Sequence, residues 1–304
     1  MNQFKKIGIE DRDTLAKYLS QTEHLACDYS AASLILWADV FKTHMAVSGD
    51  RLFLKYCRDG VNYFTFPMGS GDLKEAFNWL YDYCKAQNIE MRMNNVEPNM
   101  FAEIESIFPA RYDICYQRNY SDYIYKVEDL KNLSGKKYHG KKNHINNFVR
   151  NNPDWGYEKI SDENLDECVE MVRQWCLQNG CGGDPSKTEE VCVLIKGLRH
   201  MEELSLIGGA IRAGGRLVAV TMGERVSDEM FVVHFEKAFS DVQGAYPMIN
   251  QQFIINELSG YIYVNREEDM GLEGLRKAKL SYRPVMMAEK GRIILKRQFG
   301  DRPC

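Results

Sequence analysis

The sequence predicts an α+β fold built from two similar halves. Each half contains short strand patterns separated by turns with Gly and Asp, followed by an amphipathic helix and a further strand. The turn at residues 49–52 (Gly-Asp-Arg-Leu) is matched by residues 214–217 (Gly-Gly-Arg-Leu), at an offset of roughly 165 residues. This internal match indicates an ancient duplication, and the order of antiparallel strands, helix and strand is typical of α+β domains.

The elements of the first half follow from capping and turn residues. Asp11 or Asp13 can cap a helix that ends at Leu19, and the apolar segment 31–41 predicts a second helix. Three strands are predicted over 45–47, 51–57 and 61–66. Asp72 then caps a helix over 73–85, which is followed by a strand over 89–93.

The second half repeats this order. Asp162 is predicted to cap a helix over 165–177, and the segments 206–211 and 216–222 form a predicted hairpin. The remaining elements are a strand over 230–235, a helix over 246–258, a strand over 261–264 and a short basic helix after Gly271.

Composition excludes several classes of protein. A chain of 304 residues and 35.2 kDa is long enough for two domains. Its net charge of −4 makes a general affinity for polyanions, and DNA binding in particular, unexpected. The N-terminus lacks the apolar core of a signal peptide, and no window is apolar enough to span a bilayer, so we expect a cytoplasmic protein. Peripheral contact with a membrane surface is compatible with these features, and nothing in them indicates an oligomeric state.

The nine cysteines are scattered, and none of their spacings matches a zinc site. Cys176 and Cys181 are the closest pair. Reduced thiols in a cytosolic protein are the simpler interpretation. We predict no metal and no cofactor.

A basic segment over 131–152 separates the halves and contains no acidic residue. Its lysines are interleaved with aromatic residues, a pattern that can bind phosphates such as those of a tRNA acceptor end. The alternative is a linker helix whose apolar side is packed and whose lysines are solvated. The candidate phosphate- and tRNA-binding residues are Lys136, Lys137, Lys141 and Lys142.

A strand end near the C-terminus provides the best candidate binding site. The strand over 261–264 is followed by Asn265 and Arg266, so polar groups lie at the edge of a sheet facing a helix start. Gly271 permits a tight approach there. The predicted substrate-binding residues are Asn265, Arg266, Asp269, Gly271, Arg276, Lys277 and Lys279, although an ordinary βα unit with a solvated basic helix fits the same pattern.

The run 269–284 (Asp-Met-Gly-Leu-Glu-Gly-Leu-Arg-Lys-Ala-Lys-Leu-Ser-Tyr-Arg-Pro) resembles the C-terminal hallmark of a bacterial family. That family is allied to the catalytic domain of phosphatidylglycerol lysyltransferases, in which the matching stretch is Asn/Asp-Leu-Gly-Met-x-Pro-Leu. Asp269, Gly271 and Leu275 match it, whereas Gly274 replaces the proline. The resemblance implies a fold similar to that of Fem-type peptidyltransferases. The implied fold consists of two tandem GNAT-like (acyl-CoA N-acyltransferase-like) domains, each a mixed, mostly antiparallel sheet flanked by helices.

On this resemblance we predict a GNAT-like domain over 1–130, a basic linker helix over 131–152 and a second GNAT-like domain over 153–304 that carries the active site. The implied reaction transfers an acyl or aminoacyl group to an amine or hydroxyl acceptor. Such a reaction needs a proton acceptor and a polarised carbonyl but no side-chain nucleophile. Glu236 is the candidate base, although it can equally form an ion pair with Lys237 or an arginine. Tyr282 is the candidate acid, although a packed core tyrosine is the alternative.

The donor distinguishes the alternatives. CoA-dependent members hold pyrophosphate with a Gln/Arg-x-x-Gly-x-Gly/Ala loop before a helix. In the segment 240–247 only Gly244 matches this loop, and Asp241 stands where a Gln or Arg is needed. An aminoacyl-tRNA is therefore the preferred donor and a small acyl donor such as acyl-CoA is the alternative. A non-catalytic binding module that retains the fold is a further alternative.

Overall fold

The computed structural model describes residues 3–296, which divide into two compact units. The first unit comprises residues 3–122, 268–272 and 287–296, and the second comprises 123–267 and 273–286. The division differs from the predicted boundaries at 130 and 152, because the segment 131–152 lies within the second unit. It also differs because two C-terminal segments, 268–272 and 287–296, belong to the first unit.

The first unit contains two sheets with helices α1–α4. Its larger sheet has the antiparallel order β1-β2-β3-β4, with β5 also paired to β3, and β6 pairs with β14 in a second, two-stranded sheet. The elements are β1 (Lys5–Lys6), α1 (Arg12–Leu19), α2 (Ala31–Leu36), β2 (His44–Ser48), β3 (Arg51–Arg58), β4 (Val61–Phe64), β5 (Met68–Gly69), α3 (Leu73–Gln87), α4 (Pro98–Ile107), β6 (Tyr112–Tyr116) and β14 (Gly291–Leu295).

The second unit is built on a seven-stranded sheet of order β13-β7-β12-β11-β10-β9-β8. The pair β11–β12 is parallel, whereas the pairs β8–β9, β9–β10, β10–β11 and β7–β12 are antiparallel. The elements are β7 (Asp122–Lys126), α5 (Val127–Asn132), α6 (His139–Asn151), β8 (Gly156–Lys159), α7 (Leu165–Gln178), α8 (Pro185–Arg199), β9 (Leu206–Ala213), β10 (Arg216–Arg225), β11 (Met230–Ala238), α9 (Ala245–Glu257), β12 (Tyr263–Asn265), α10 (Glu273–Leu280) and β13 (Met286–Ala288). A mixed, mostly antiparallel sheet flanked by helices confirms the predicted α+β class.

Local predictions succeed where caps and turns determine the structure. The Asp72 side chain accepts a hydrogen bond from the Glu75 N–H at the start of α3, as predicted. Both duplicated turns connect antiparallel strands, β2 to β3 and β9 to β10. In each half the hairpin has the predicted position.

Other predicted elements differ in length or cap. The helix over 31–41 ends at Leu36, and the strand over 89–93 is reduced to a single bridge between Met93 and Phe64. The N-cap of α7 is Asn164 rather than Asp162; the Asn164 side chain accepts from the Ser161 N–H. The segment 131–152, predicted as one linker helix, contains only the end of α5 and then α6, because the chain between them turns through the positive-φ residues Leu133 and Gly135.

Apolar faces of the helices pack on the sheets. In the first unit Phe53, Phe64 and Leu80 are buried, and in the second unit Phe231 and Phe253 are buried. Helix α9 lies behind the strands of the second sheet and buries Met248, Ile249 and Ile254 as well. None of the helices within residues 3–296 has the length and apolar content that a membrane crossing requires.

The cysteines around the end of α7 depart from expectation. Cys176, near the end of α7, forms a disulfide with Cys181 in the following turn. The prediction of reduced thiols is therefore wrong for this pair, because the turn brings two cysteines five positions apart into contact.

Candidate active site

The candidate site lies in the second unit, where two neighbouring parallel strands separate. β11 and β12 are paired only from Met230 to Val232, with Tyr263 to Asn265 as their partners. β11 then continues to Ala238 alongside β10, whereas β12 ends at Asn265. A gap therefore opens between β11 and the chain that follows β12, and the next side chains of both strands can face it.

A buried ion pair crosses this gap. The Arg266 Nη2 atom lies 3.0 Å from Oε1 of Glu236, and the two side chains are only 12% and 14% exposed. Asn250, on α9, donates from Nδ2 to the other carboxylate oxygen of Glu236 at 3.2 Å. Both oxygens of Glu236 are thus held by donors from different elements.

Aromatic rings form one wall beside the pair. The Arg266 guanidinium lies 4.9 Å from the ring centre of Tyr282 and 5.8 Å from that of Tyr125. The Lys141 ammonium lies 4.0 Å from the ring centre of Tyr282. Two cations therefore face the same ring, and the Lys141 side chain is half-buried within the site.

The burial of these groups alters their acidity. Desolvation, with the charge of Arg266, lowers the pKa of Lys141 to about 8, although Glu236 acts in the opposite direction. Burial raises the pKa of Tyr282 and of Tyr125, so both hydroxyls stay protonated at neutral pH. Burial alone would lower the pKa of Arg266, but the Glu236 carboxylate outweighs it and the pKa is raised.

Two polar atoms of the site lack a partner. Arg266 Nη1 and Asn250 Oδ1 are buried and have no hydrogen-bond partner of regular geometry within residues 3–296, although the nearby Tyr282 hydroxyl helps to raise the pKa of Arg266. A buried donor or acceptor that stays unpaired costs about 1–3 kcal/mol, so native proteins rarely leave one without a reason. One donor and one acceptor on either side of Glu236 are the arrangement expected where a polar substrate completes the site.

A buried histidine on β11, two residues before Glu236, lies between two carboxylates. His234 Nδ1 lies 2.9 Å from Glu267 Oε1, and Nε2 lies 3.0 Å from Glu224 Oε1. Burial alone would lower the pKa of His234, but these two carboxylates raise it to about 9. His234 is the extra residue where the pairing of β10 with β11 shifts, and this bulge directs its side chain to both acids.

The predicted binding residues that lie in the second unit differ in burial and in the groups that they contact. Asn265 is fully buried, and its side-chain oxygen accepts from the Glu267 N–H at 2.7 Å, which fixes the turn after β12. Lys279 donates to the Arg266 carbonyl oxygen at 2.5 Å. Arg276 is half-buried and Lys277 is exposed on α10.

Asp269 and Gly271 belong to the first unit. Asp269 is fully buried, accepts from the Gly271 N–H at 2.8 Å and lies 3.5 Å from Arg118 Nη1. Gly271 has a φ of 77°, and a Cβ there would lie 2.9 Å from Asn119 Nδ2, so the tight approach predicted for this glycine is present. In this geometry both residues shape a turn, and their contact with substrate stays a prediction.

The four predicted phosphate-binding lysines separate into two groups. Lys136, Lys137 and Lys142 are exposed, with Lys137 lying 3.9 Å from Asp129. Lys141 instead points into the gap described above. The sequence pattern treats them as equivalent because it does not show which side of α6 faces the sheet.

The loop before α9 differs from a pyrophosphate-binding loop in its free amides. The Ala245 N–H already donates to the Val242 carbonyl oxygen, and Pro247 has no N–H. Gly244 packs against α6 so closely that a Cβ would lie 2.3 Å from the His144 carbonyl oxygen. Asp241 lies 3.7 Å from Arg216. This helix start offers few donors to an anion.

Three residues of the site were not predicted in these roles. Asn250 is a buried amide on the otherwise apolar inner face of α9, and that interruption of the apolar pattern is a usable signal. Tyr125 sits on β7 within an apolar run and carries no distinguishing signal. Lys141 was predicted to bind phosphate rather than to lie beside Tyr282.

Comparison with known proteins identifies the family. The family model described as phosphatidylglycerol lysyltransferase, C-terminal, matches residues 20–290. The chain therefore belongs to this family, and the resemblance drawn from residues 269–284 is confirmed.

Solved structures and one curated relative are also similar. A conserved protein of unknown function from Bacteroides thetaiotaomicron is 39% identical, with a TM-score of 0.92 over 97% of this chain and 100% of that one. L-PGS from Bacillus licheniformis is 16% identical, with a TM-score of 0.64 over 97% and 95% of the two chains, a likeness of fold. An uncharacterised protein of Mycoplasmoides gallisepticum is 22% identical over 186 residues, which are 60% of this chain and 58% of that relative's length.

Proposed function

We propose that the second unit transfers an aminoacyl group from an aminoacyl-tRNA to an amine or hydroxyl acceptor in the gap between β11 and β12. The family and the fold support an acyl- or aminoacyltransferase. The choice of donor, acceptor class and residues is the proposal. The observation that carries it is the buried Arg266–Glu236 pair, beside which Arg266 Nη1 and Asn250 Oδ1 have no hydrogen-bond partner of regular geometry within residues 3–296.

Each group of the site has a role in this reaction. Arg266 Nη1 donates to the carbonyl oxygen of the donor ester, where negative charge develops in the transition state. Asn250 Oδ1 accepts a hydrogen bond from the attacking amine or hydroxyl and orients it. Glu236 holds both Arg266 and Asn250 in place, so we assign it an orienting role instead of the predicted role of base.

The proton then needs an acceptor. Lys141, with a pKa of about 8, is partly neutral near physiological pH and can take the proton from the attacking group. As the new bond to the carbonyl carbon forms, the bond to the tRNA ribose oxygen breaks. The Tyr282 hydroxyl, protonated because its pKa is raised, can supply the proton that the leaving ribose oxygen requires.

The loop before α9 supports a donor other than acyl-CoA. The engaged Ala245 amide, Pro247 and the close contact of Gly244 with α6 leave little of the site that binds pyrophosphate in CoA-dependent enzymes. Exposed lysines on α6 and α10 offer positive charge to a tRNA instead.

The decisive experiment measures protein-dependent loss of radiolabelled amino acids from a mixture of charged tRNAs, with simple amines and hydroxyl compounds as acceptors. We expect turnover that falls at least about 100-fold in Arg266→Lys, because lysine keeps the charge and loses the planar fork. Arg173→Lys, on the exposed side of α7, is the matched control and should retain activity.

Acetyl-CoA serves as the competing donor in the same experiment. If CoA bound at a hundredfold excess over its dissociation constant, it would add about 2.7 kcal/mol to stability and raise the melting temperature clearly. Turnover with acetyl-CoA together with such a shift would overturn the choice of donor. Equal activity of the Arg266→Lys and Arg173→Lys variants would overturn the choice of site.

A further inference from the structure

We infer that the first unit binds a small organic ammonium ion in a cavity of its own, which we call the ammonium cavity. It has a volume of about 140 Å³. Among its lining residues are Trp37, Phe41, Tyr56, Tyr120, Asp28 and Glu268. An apolar cavity of about 150 Å³ holds a benzene molecule, so a cation of four to six heavy atoms fits this volume.

A buried ion cluster forms one side of the cavity. The Lys290 ammonium is 3% exposed and lies 2.6 Å from Asp28 and 2.8 Å from Asp122. Glu268 is the third carboxylate, 3.7 Å away. Asp122 is fully buried, whereas the side chains of Asp28 and Glu268 are 27% and 24% exposed.

The charged residues that line the cavity are two carboxylates and two basic side chains, and the Lys290 ammonium among them is only 3% exposed. The partly exposed carboxylates, Asp28 and Glu268, are the two that line the cavity. Arg58 also lines it, and its guanidinium is engaged with Tyr120, lying 4.8 Å from the ring centre and donating to the hydroxyl. Because Lys290 is almost fully buried and Arg58 is engaged with Tyr120, the charge most accessible in the cavity is that of Asp28 and Glu268, which attracts a cation.

The aromatic residues favour an organic ammonium ion over a metal ion. Ammonium groups are attracted to the faces of Trp and Tyr rings, and cages of such rings with nearby carboxylates recognise alkylated amines. The rings of Trp37 and Phe41 are stacked with their centres 5.6 Å apart. A metal ion, which requires oxygen, nitrogen or sulfur ligands, gains nothing from such walls.

The same cluster could be mistaken for a metal site. Cys27, Asp122 and Glu268 have ligand atoms within 4.8 Å of one another. The Lys290 ammonium already lies among these groups, 3.9 Å from the Cys27 sulfur. The carboxylates thus hold an alkylammonium of the chain itself, and a metal ion would have to displace it.

This inference concerns the first unit alone and does not depend on the transfer reaction proposed for the second. It is tested by isothermal titration of the full chain with n-butylammonium chloride and tetramethylammonium chloride. Neutral n-butanol, sodium chloride and zinc chloride are the comparison solutes. We expect saturable binding of at least one ammonium ion and none of n-butanol or sodium chloride.

Variants identify the site. Glu268→Gln keeps the shape and removes one charge, so we expect ammonium binding to weaken about tenfold. Trp37→Leu removes a ring and should weaken tetramethylammonium binding similarly. Asp82→Asn, an exposed position on α3, is the matched control and should bind as the original chain does. Melting curves establish that each variant is folded.

Three results would overturn the inference. The absence of saturable ammonium binding would remove the site. Equal binding of n-butanol would make the cavity an apolar one without charge selection. Saturable zinc binding that is lost in Cys27→Ser would make the cluster a metal site.

Discussion

Glu236 and Arg266 are joined by a 3.0 Å ion pair that crosses the gap where β11 and β12 have stopped pairing. The pair replaces backbone hydrogen bonds as the link between the two strands at this depth of the sheet. Because Arg266 also lies against the rings of Tyr125 and Tyr282, the pair connects four segments of the second unit: β11, the chain after β12, β7 and the turn after α10.

Removing one partner should be costly. We expect Arg266→Ala to lower the free energy of unfolding by on the order of 3 kcal/mol, because the buried Glu236 carboxylate loses its counter-charge. Urea denaturation monitored by circular dichroism measures this change. The double variant Arg266→Ala/Glu236→Gln should recover part of it, since no unpaired charge stays buried. A loss no larger than that of Arg173→Ala would contradict the structural importance of the pair.

Lys141 should titrate far below an ordinary lysine. Its pKa is lowered from 10.5 to about 8, so the folded state holds this proton more weakly than the unfolded chain. Stability should therefore rise as pH increases from about 8 towards 10.5, and this rise should be absent in Lys141→Met. Pulsed acetylation read by mass spectrometry should show Lys141 becoming reactive near pH 8. Reactivity of Lys141 that parallels that of Lys142 across the pH range would contradict the shift.

His234 should produce the opposite pH dependence. Its pKa is raised from 6.5 to about 9, so its stabilising contribution is complete below pH 6.5 and is lost as pH rises through 9. The loss should be on the order of 3 kcal/mol and absent in His234→Gln. Nuclear magnetic resonance of the imidazole should show both ring nitrogens protonated at pH 7.5. A neutral ring at that pH would contradict the ion pairs of His234 with Glu224 and Glu267.

Gly244 should not tolerate a side chain. Its φ is 87°, and a Cβ would lie 2.3 Å from the His144 carbonyl oxygen, which is backbone and cannot move aside alone. We expect Gly244→Ala to cost at least about 2 kcal/mol in a thermal or urea melt. Gly274→Ala is the control, because no atom of the described residues lies within 4 Å of its Cβ position and a helix such as α10 favours alanine over glycine. Equal stability of the two variants would show that α6 and α9 are not in close contact.

The exposed lysines of α6 and the turn before it should govern tRNA affinity. If Lys136, Lys137 and Lys142 each contact a phosphate, the log–log slope of affinity against salt should be about −2 to −3. Replacing all three with Gln should flatten that slope, whereas Lys74→Gln and Lys85→Gln on α3 should not. Filter binding over a salt series measures both. If the slope of tRNA affinity against salt were unchanged in the triple variant, these lysines would not bind phosphates and the segment would only link its neighbouring elements.

The sequence was sufficient for the fold because the fold is specified locally. Caps such as Asp72, the two matched turns and the alternating strands determine most elements without reference to distant contacts. The errors arise where contacts between residues far apart in the sequence determine whether an element forms. The strand over 89–93 reads as β from composition, but only Met93 finds a neighbour to pair with.

The site was predicted less completely for the same reason. Arg266 and Glu236 could both be named, since each stands near the end of a strand, but their pairing depends on how far β11 and β12 diverge. Lys141 could not be separated from Lys142, because a sequence gives the spacing of residues on a helix and not the direction that the helix faces. Asn265 and Asp269 have polar side chains that satisfy backbone groups of their own turns, which composition does not distinguish from binding.

The division of the chain affects how the molecule is made on the ribosome. Residues 3–122 are synthesised first, yet the unit that they form also needs β14 and Lys290 from near the other end. Until Lys290 emerges, Asp28 and Asp122 have no ammonium to neutralise them, and β6 has no partner strand. The second unit, which is encoded mostly between these parts, can therefore complete its fold before the first one does.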